Sequence, residues 1–164
     1  MDDLAIGSAN ASYRPHCDVS LRVTNTMIGR TFLPSPQVAP TLILWRTAML
    51  SIPGSMPVTI AMCSDRQACA TLAVAMLRID EGDLDLAMID EFMRELVNMT
   101  AGQIKGELHL DQALGLSRVI DGEPLLTSPV AWTHHVLDSD KVTIVVSLVA
   151  SMLEGRDSGI CRAI

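Results

Sequence analysis

The chain has 164 residues, 49% of them hydrophobic and 19% charged, with a formal net charge of −7. This composition excludes a disordered chain, and an acidic balance without a basic stripe argues against nucleic acid or an anionic membrane as a partner. No apolar run approaches the ~20 residues that a membrane-spanning helix needs. The closest, Val142 to Leu153, is interrupted by Ser147 and Ser151 and reads as a buried strand.

Residues 1–15 carry no periodicity and read as a flexible leader. Their acidic, polar opening, MDDLAIGSANASYRP, is unlike a secretory signal, so a cytoplasmic protein is expected. A single domain is expected over residues 16–153, followed by a flexible tail over 154–164.

From His16 the pattern turns helical. Val19, Val23, Met27 and Ile28 share a face, and Gly29 is a plausible stop. Pro34, Pro36 and Pro40 then impose a loop or an irregular edge. Thr41 to Ile52 reads as a strand, Pro53-Gly54-Ser55 as a turn, and Met56 to Cys63 as the antiparallel partner. Ser64 is the expected N-cap of a short Ala-rich helix, Arg66 to Leu77. An acidic linker, Asp80 to Asp83, leads into the third and longest helix, which ends near Leu108. Leu116 to Ile120 reads as a short strand before an Asp121-Gly122 turn. Two stronger strands close the domain, roughly Val130 to Leu137 and Lys141 to Val149, joined through Asp138-Ser139-Asp140. Together these predict an α/β (α+β) domain with an antiparallel-rich mixed sheet and two long helices packed on one face.

The third helix carries two stripes. Ile89, Phe92, Met93, Leu96, Val97, Thr100 and Ile104 form an apolar one. Glu91, Glu95, Asn98 and Gly102 recur at the same steps on another face. Asn is a poor mid-helix residue, and Gly costs about 1 kcal/mol there relative to Ala. A solvated charged face is the bland reading of such a stripe. Two helix-unfavourable residues on one exposed face instead point to a docking or catalytic surface, since a Gly lets another backbone come close.

The other reactive side chains carry less. The four cysteines, Cys17, Cys63, Cys69 and Cys161, lack CxxC spacing and read as reduced, mostly buried thiols. His134 and His135 are neighbours on a predicted strand and point to opposite faces, so no metal site is expected.

The run ELVNMTAGQ, from Glu95 to Gln103, resembles the active helix of the CheC/CheX/FliY family of chemotaxis phosphatases. That family's motif is D/S-x-x-x-E-x-x-N, often continued as N-M-x-x-G. The order of hairpin, helices and closing strands fits as well, and one intact motif makes the chain closest to the CheX type. The resemblance implies a phosphatase acting on the aspartyl phosphate of a CheY-like response regulator in chemotaxis or two-component signalling. Asn98 would be the catalytic residue and Glu95 its partner, with Glu91 and Gly102 on the partner-binding surface. No cofactor of its own is implied, because Mg²⁺ belongs to the phosphorylated receiver. A homodimer is implied too.

Two departures stand out. Glu91 occupies the position where the family has Asp or Ser. Asp18-x-x-x-Arg22-x-x-Asn25 in the first helix has the motif's spacing with Arg in place of Glu, either a degenerate copy or a coincidence. These departures keep open an alternative, a non-catalytic dimerisation or regulator-binding module on the same fold. A flagellar switch component is the weaker third reading.

Overall fold

Apolar alternation in the strands and the 3.6-residue stripes of the helices meet on one side of a single sheet. A computed structural model of the chain describes residues 14–35, 43–55, 57–122, 132–140, 142–149, 153–155 and 161–163. In chain order the elements are α1 (Arg14–Ile28), β1 (Leu33–Ser35), β2 (Arg46–Ile52), β3 (Val58–Ser64), α2 (Arg66–Leu77), α3 (Leu86–Glu107), β4 (Arg118–Asp121), β5 (Thr133–Ser139), β6 (Val142–Val149), β7 (Leu153–Gly155) and β8 (Cys161–Ala163). A 3-10 turn over Glu81–Asp83 precedes α3.

The main sheet runs β1-β5-β6-β3-β2-β4. Every pairing in it is antiparallel, in keeping with the antiparallel-rich sheet expected. Alternation along the strands sends Ala48, Leu50, Ile52, Ile60, Met62, Ile144, Val146 and Leu148 to one face. There they pack against Val19 and Val23 of α1, Leu72 of α2, and Phe92, Met93, Leu96, Val97 and Ile104 of α3. Met49, Ala61, Cys63, Val145 and Val149 point the other way and form a second buried cluster. The result is the expected α+β layering, with helices on one face of one sheet.

Several boundaries differ from expectation, each for a local reason. The N-cap of α2 is Asp65, whose Oδ1 accepts from the Ala68 N–H at 2.7 Å. Ser64, the expected cap, is the last residue of β3 and donates its hydroxyl to the Thr143 carbonyl. Both residue types cap well; pairing of Ser64 with Arg46 keeps it in the sheet and hands the cap to its neighbour. β5 extends through Ser139, because the turn is made by Asp140 at φ 52 rather than by Asp138. Asp138 instead accepts from the Thr143 hydroxyl at 2.6 Å across the hairpin. The stop after α1 falls at Gly29 as expected, with φ 66 and its N–H bonded to the Asn25 carbonyl at 3.1 Å. Leu33–Ser35 is the irregular edge that the prolines imposed, pairing with β5 around Pro34.

Residues 1–13 of the expected leader lie outside the described residues, and helix α1 already begins at Arg14. In the segment expected to be a flexible tail, β7 and β8 pair antiparallel as a separate two-stranded ribbon.

Candidate active site

Helix α3 is 22 residues long and closed at both ends. Asp85 caps its start, Oδ1 accepting from the Met88 N–H at 2.8 Å. The Leu108 N–H closes its end on the Ile104 carbonyl at 3.0 Å. The whole apolar stripe read from the sequence is buried, from Ile89 through Ile104. The opposite stripe is therefore fixed outward: Glu91, Glu95 and Gly102 are exposed and Asn98 is half-buried.

Within that stripe the side chains are engaged differently. Glu91 accepts from Arg94 Nη1 at 3.2 Å, a local pair one turn apart on the same helix. Glu95 and Asn98 make no side-chain hydrogen bond or ion pair among the described residues. They are one turn apart, about 4.5 Å along the helix axis. A carboxylate and a carboxamide thus stand side by side on a rigid support with their bonding capacity unspent. A Cβ built at Gly102 meets nothing within 4 Å, so internal packing does not require glycine there.

The first-helix copy of the motif is used differently. Arg22 forms an ion pair with Glu107 of α3. The Asn25 carboxamide oxygen accepts from the Phe32 N–H at 2.7 Å and fixes the chain as it leaves α1. Both residues act within the fold, and among the described residues the intact Glu-Asn pair of the motif is the one on α3. A groove of about 330 Å³, lined in part by Val23 and Met27 of α1 and Met99 and Gln103 of α3, lies between the helices.

One feature escaped the sequence reading. Arg46 opens β2, is only 8% exposed, and faces the helices. It pairs with Asp90 of α3, Nε to Oδ1 3.1 Å, and with Asp121 of β4. The signal was present: it is the lone charge in the predicted strand, TLILWRTAMLSI. Beside it a cavity of about 630 Å³ opens at the base of α3, lined in part by Trp45, Arg66, Asp85 and Asp121.

Two other reactive groups, Cys69 and His134, are engaged within the fold. Burial and the charge of Asp65 push the Cys69 thiol up to about 12, which suppresses the thiolate needed for nucleophilic chemistry. His134 Nδ1 lies 2.8 Å from the Ser147 hydroxyl, across the β5–β6 ladder. Among the described residues, no three His, Cys, Asp or Glu side chains are grouped to hold a metal ion, and no helix is long and apolar enough to cross a membrane.

The family profile of the chemotaxis phosphatase CheX matches residues 46–140. No curated protein matches the sequence. Among solved structures, CheX of Vibrio vulnificus is similar at a TM-score of 0.69 and 15% identity, covering 87% of this chain and 99% of that one. CheX of Desulfovibrio desulfuricans is similar at 0.66 and 18% identity, covering 83% and 96%. CheX of Borrelia burgdorferi, in a complex with CheY, BeF₃ and Mg²⁺, is similar at 0.64 and 17% identity, covering 82% and 94%. At such identities these likenesses establish a common fold.

Proposed function

Because the chain belongs to the family of the chemotaxis phosphatase CheX, we propose that it accelerates hydrolysis of the aspartyl phosphate on a CheY-like receiver domain. The observation that carries the reading is the Glu95–Asn98 pair, outward on the longest helix and unengaged by any other described side chain. The Borrelia burgdorferi relative in a complex with CheY supports the class of partner. The reading also takes the active form to be a homodimer in the cytoplasm.

The chemistry asks this chain for position rather than for a nucleophile. The receiver brings the phosphoaspartate, a lysine and Mg²⁺, which neutralises charge on the phosphoryl oxygens when bound. Asn98 enters beside the phosphoryl group, and its carboxamide oxygen accepts one hydrogen of a water, holding it in line with the phosphorus. Half-burial of Asn98 limits the rotamers it must give up on docking. An amide suits the task because it is neutral; an aspartate of the same size would repel the phosphoryl oxygens. Glu95, one turn earlier and exposed, pairs with the receiver's lysine and sets the register. Gly102 lets the receiver backbone approach the helix.

The test is loss of phosphoryl label from a phosphorylated CheY-like receiver in Mg²⁺, with and without the protein. Acceleration above the receiver's own rate is the expected result. Binding without acceleration would replace this reading with the second one, a non-catalytic regulator-binding module. That alternative draws on Glu91, which stands where the family motif has Asp or Ser and is tied to Arg94.

A further inference from the structure

Helix α3 lies on the sheet through an apolar stripe, and apolar contacts are non-directional. Such packing alone tolerates small rotations of a helix about its axis. Beneath the first turns of α3 lies one contact between specific charged atoms, a close ion pair whose Arg46 Nε and Asp90 Oδ1 make no aligned hydrogen bond. The guanidinium of Arg46 reaches Asp90 on α3 through Nε, at 3.1 Å, and its cross-strand neighbour Asp121 through Nη1. The Trp45 ring lies 4.7 Å from the same guanidinium and 5.4 Å from that of Arg66 on α2. One planar fork therefore joins β2, β4 and α3, and through Trp45 it reaches α2.

A buried ion pair is a poor way to gain stability, because desolvation offsets much of the attraction and apolar replacements are often neutral. Its distinctive property is that it ties one guanidinium to carboxylates on two other elements. The two carboxylates differ in setting: the Asp90 side chain is 24% exposed and that of Asp121 is 82% exposed. The less exposed one is on the helix that carries Glu95 and Asn98. Asp90 precedes Asn98 by eight residues, about 12 Å of axial rise. A rigid helix turned at Asp90 turns at Asn98 by the same angle.

We propose that Arg46 is a positioning residue: by holding Asp90 and Asp121 at once, it fixes the rotation of α3 and so the direction in which Glu95 and Asn98 meet the receiver. This rests on the phosphatase reading. The expected cost of losing it is catalytic, because displacement of a reacting group by about 1 Å can cost about 100-fold in rate. Receiver affinity is spread over a wider surface and is less sensitive.

The double variant Arg46→Met/Asp90→Asn removes the buried charge from both sides, and Arg46→Lys keeps a charge that reaches only one carboxylate at a time. Both are compared with wild type by Tm, receiver Kd, single-turnover rate at saturation, and a crystal structure. Expected for the double variant are a folded protein, a Kd within about threefold of wild type, a rate lowered about 10- to 100-fold, and a rotated α3. Arg46→Lys should fall between the two. A folded double variant with the wild-type rate and an unmoved α3 overturns the proposal. If the double variant does not fold, Arg46→Lys decides, and a wild-type rate there overturns it. If wild type itself fails to accelerate hydrolysis, the phosphatase reading fails separately; the orientation of α3 in the variant crystal then still decides, rotation supporting the tether and none overturning it.

Discussion

The Asn25 side chain accepts a 2.7 Å hydrogen bond from the backbone N–H of Phe32, whereas Asn98, at the matching place in the α3 motif, has no such partner among the described residues. The two asparagines share a sequence spacing and differ in what consumes their amides. Asn25 holds the exit of α1, and Arg22 before it is spent on Glu107.

Asn25→Ala should therefore destabilise the fold by about 1–3 kcal/mol, since it strips a partly buried N–H of its acceptor. The same change should leave receiver dephosphorylation within about twofold of wild type, because its rate does not depend on that amide. Chemical denaturation and a receiver assay on one preparation read both quantities. A stable variant that has lost activity would mean that α1 carries a working second site.

Gly102 separates folding from docking. Its built Cβ meets open space, so Gly102→Ala should raise stability by about 0.5–1 kcal/mol through helix propensity. If the receiver backbone comes close there, the added methyl should weaken binding by about tenfold, opposite in sign to its effect on stability. Titration calorimetry and thermal unfolding measure the pair. Unchanged affinity would remove Gly102 from the docking surface.

Partial desolvation of the ring lowers the pKa of His134 below its ordinary 6.5, although the residue as a whole is exposed, so the unfolded chain takes up this proton at higher pH than the folded one. The resulting stability is complete above about pH 6.5 and is lost as pH falls through the lower, folded value. Tm should therefore decline as pH falls below about 6.5, and His134→Gln, which does not titrate, should lessen the decline. Parallel slopes for the two proteins would show that His134 contributes nothing to it.

Much of the layout follows from local pattern. The apolar stripe of α3 is continuous, so its buried face and, by subtraction, its outward face were both readable before folding. Arg66–Leu77 was bounded correctly because Pro-free, Ala-rich sequence sits between a capping residue and Arg78, which takes the left-handed conformation at φ 55. What could not be read depends on partners distant in sequence. Asn25 gains its role from Phe32 across a turn, and Arg46 from Asp90 and Asp121, which only the fold brings within reach. Ser64 and Asp65 were equivalent as caps until sheet pairing claimed one of them. The antiparallel sheet order likewise rests on pairings between strands far apart in the chain, such as β3 with β6.

The measurement that bears most directly on the central claim is the single-turnover hydrolysis rate of a phosphorylated receiver at saturating protein, for wild type and Asn98→Ala. Loss of a transition-state contact of this kind costs about 2.7–4 kcal/mol, so the rate should fall on the order of 10²–10³-fold while the receiver Kd stays near the wild-type value. An Asn98→Ala protein that binds the receiver and dephosphorylates it at the wild-type rate would contradict the account.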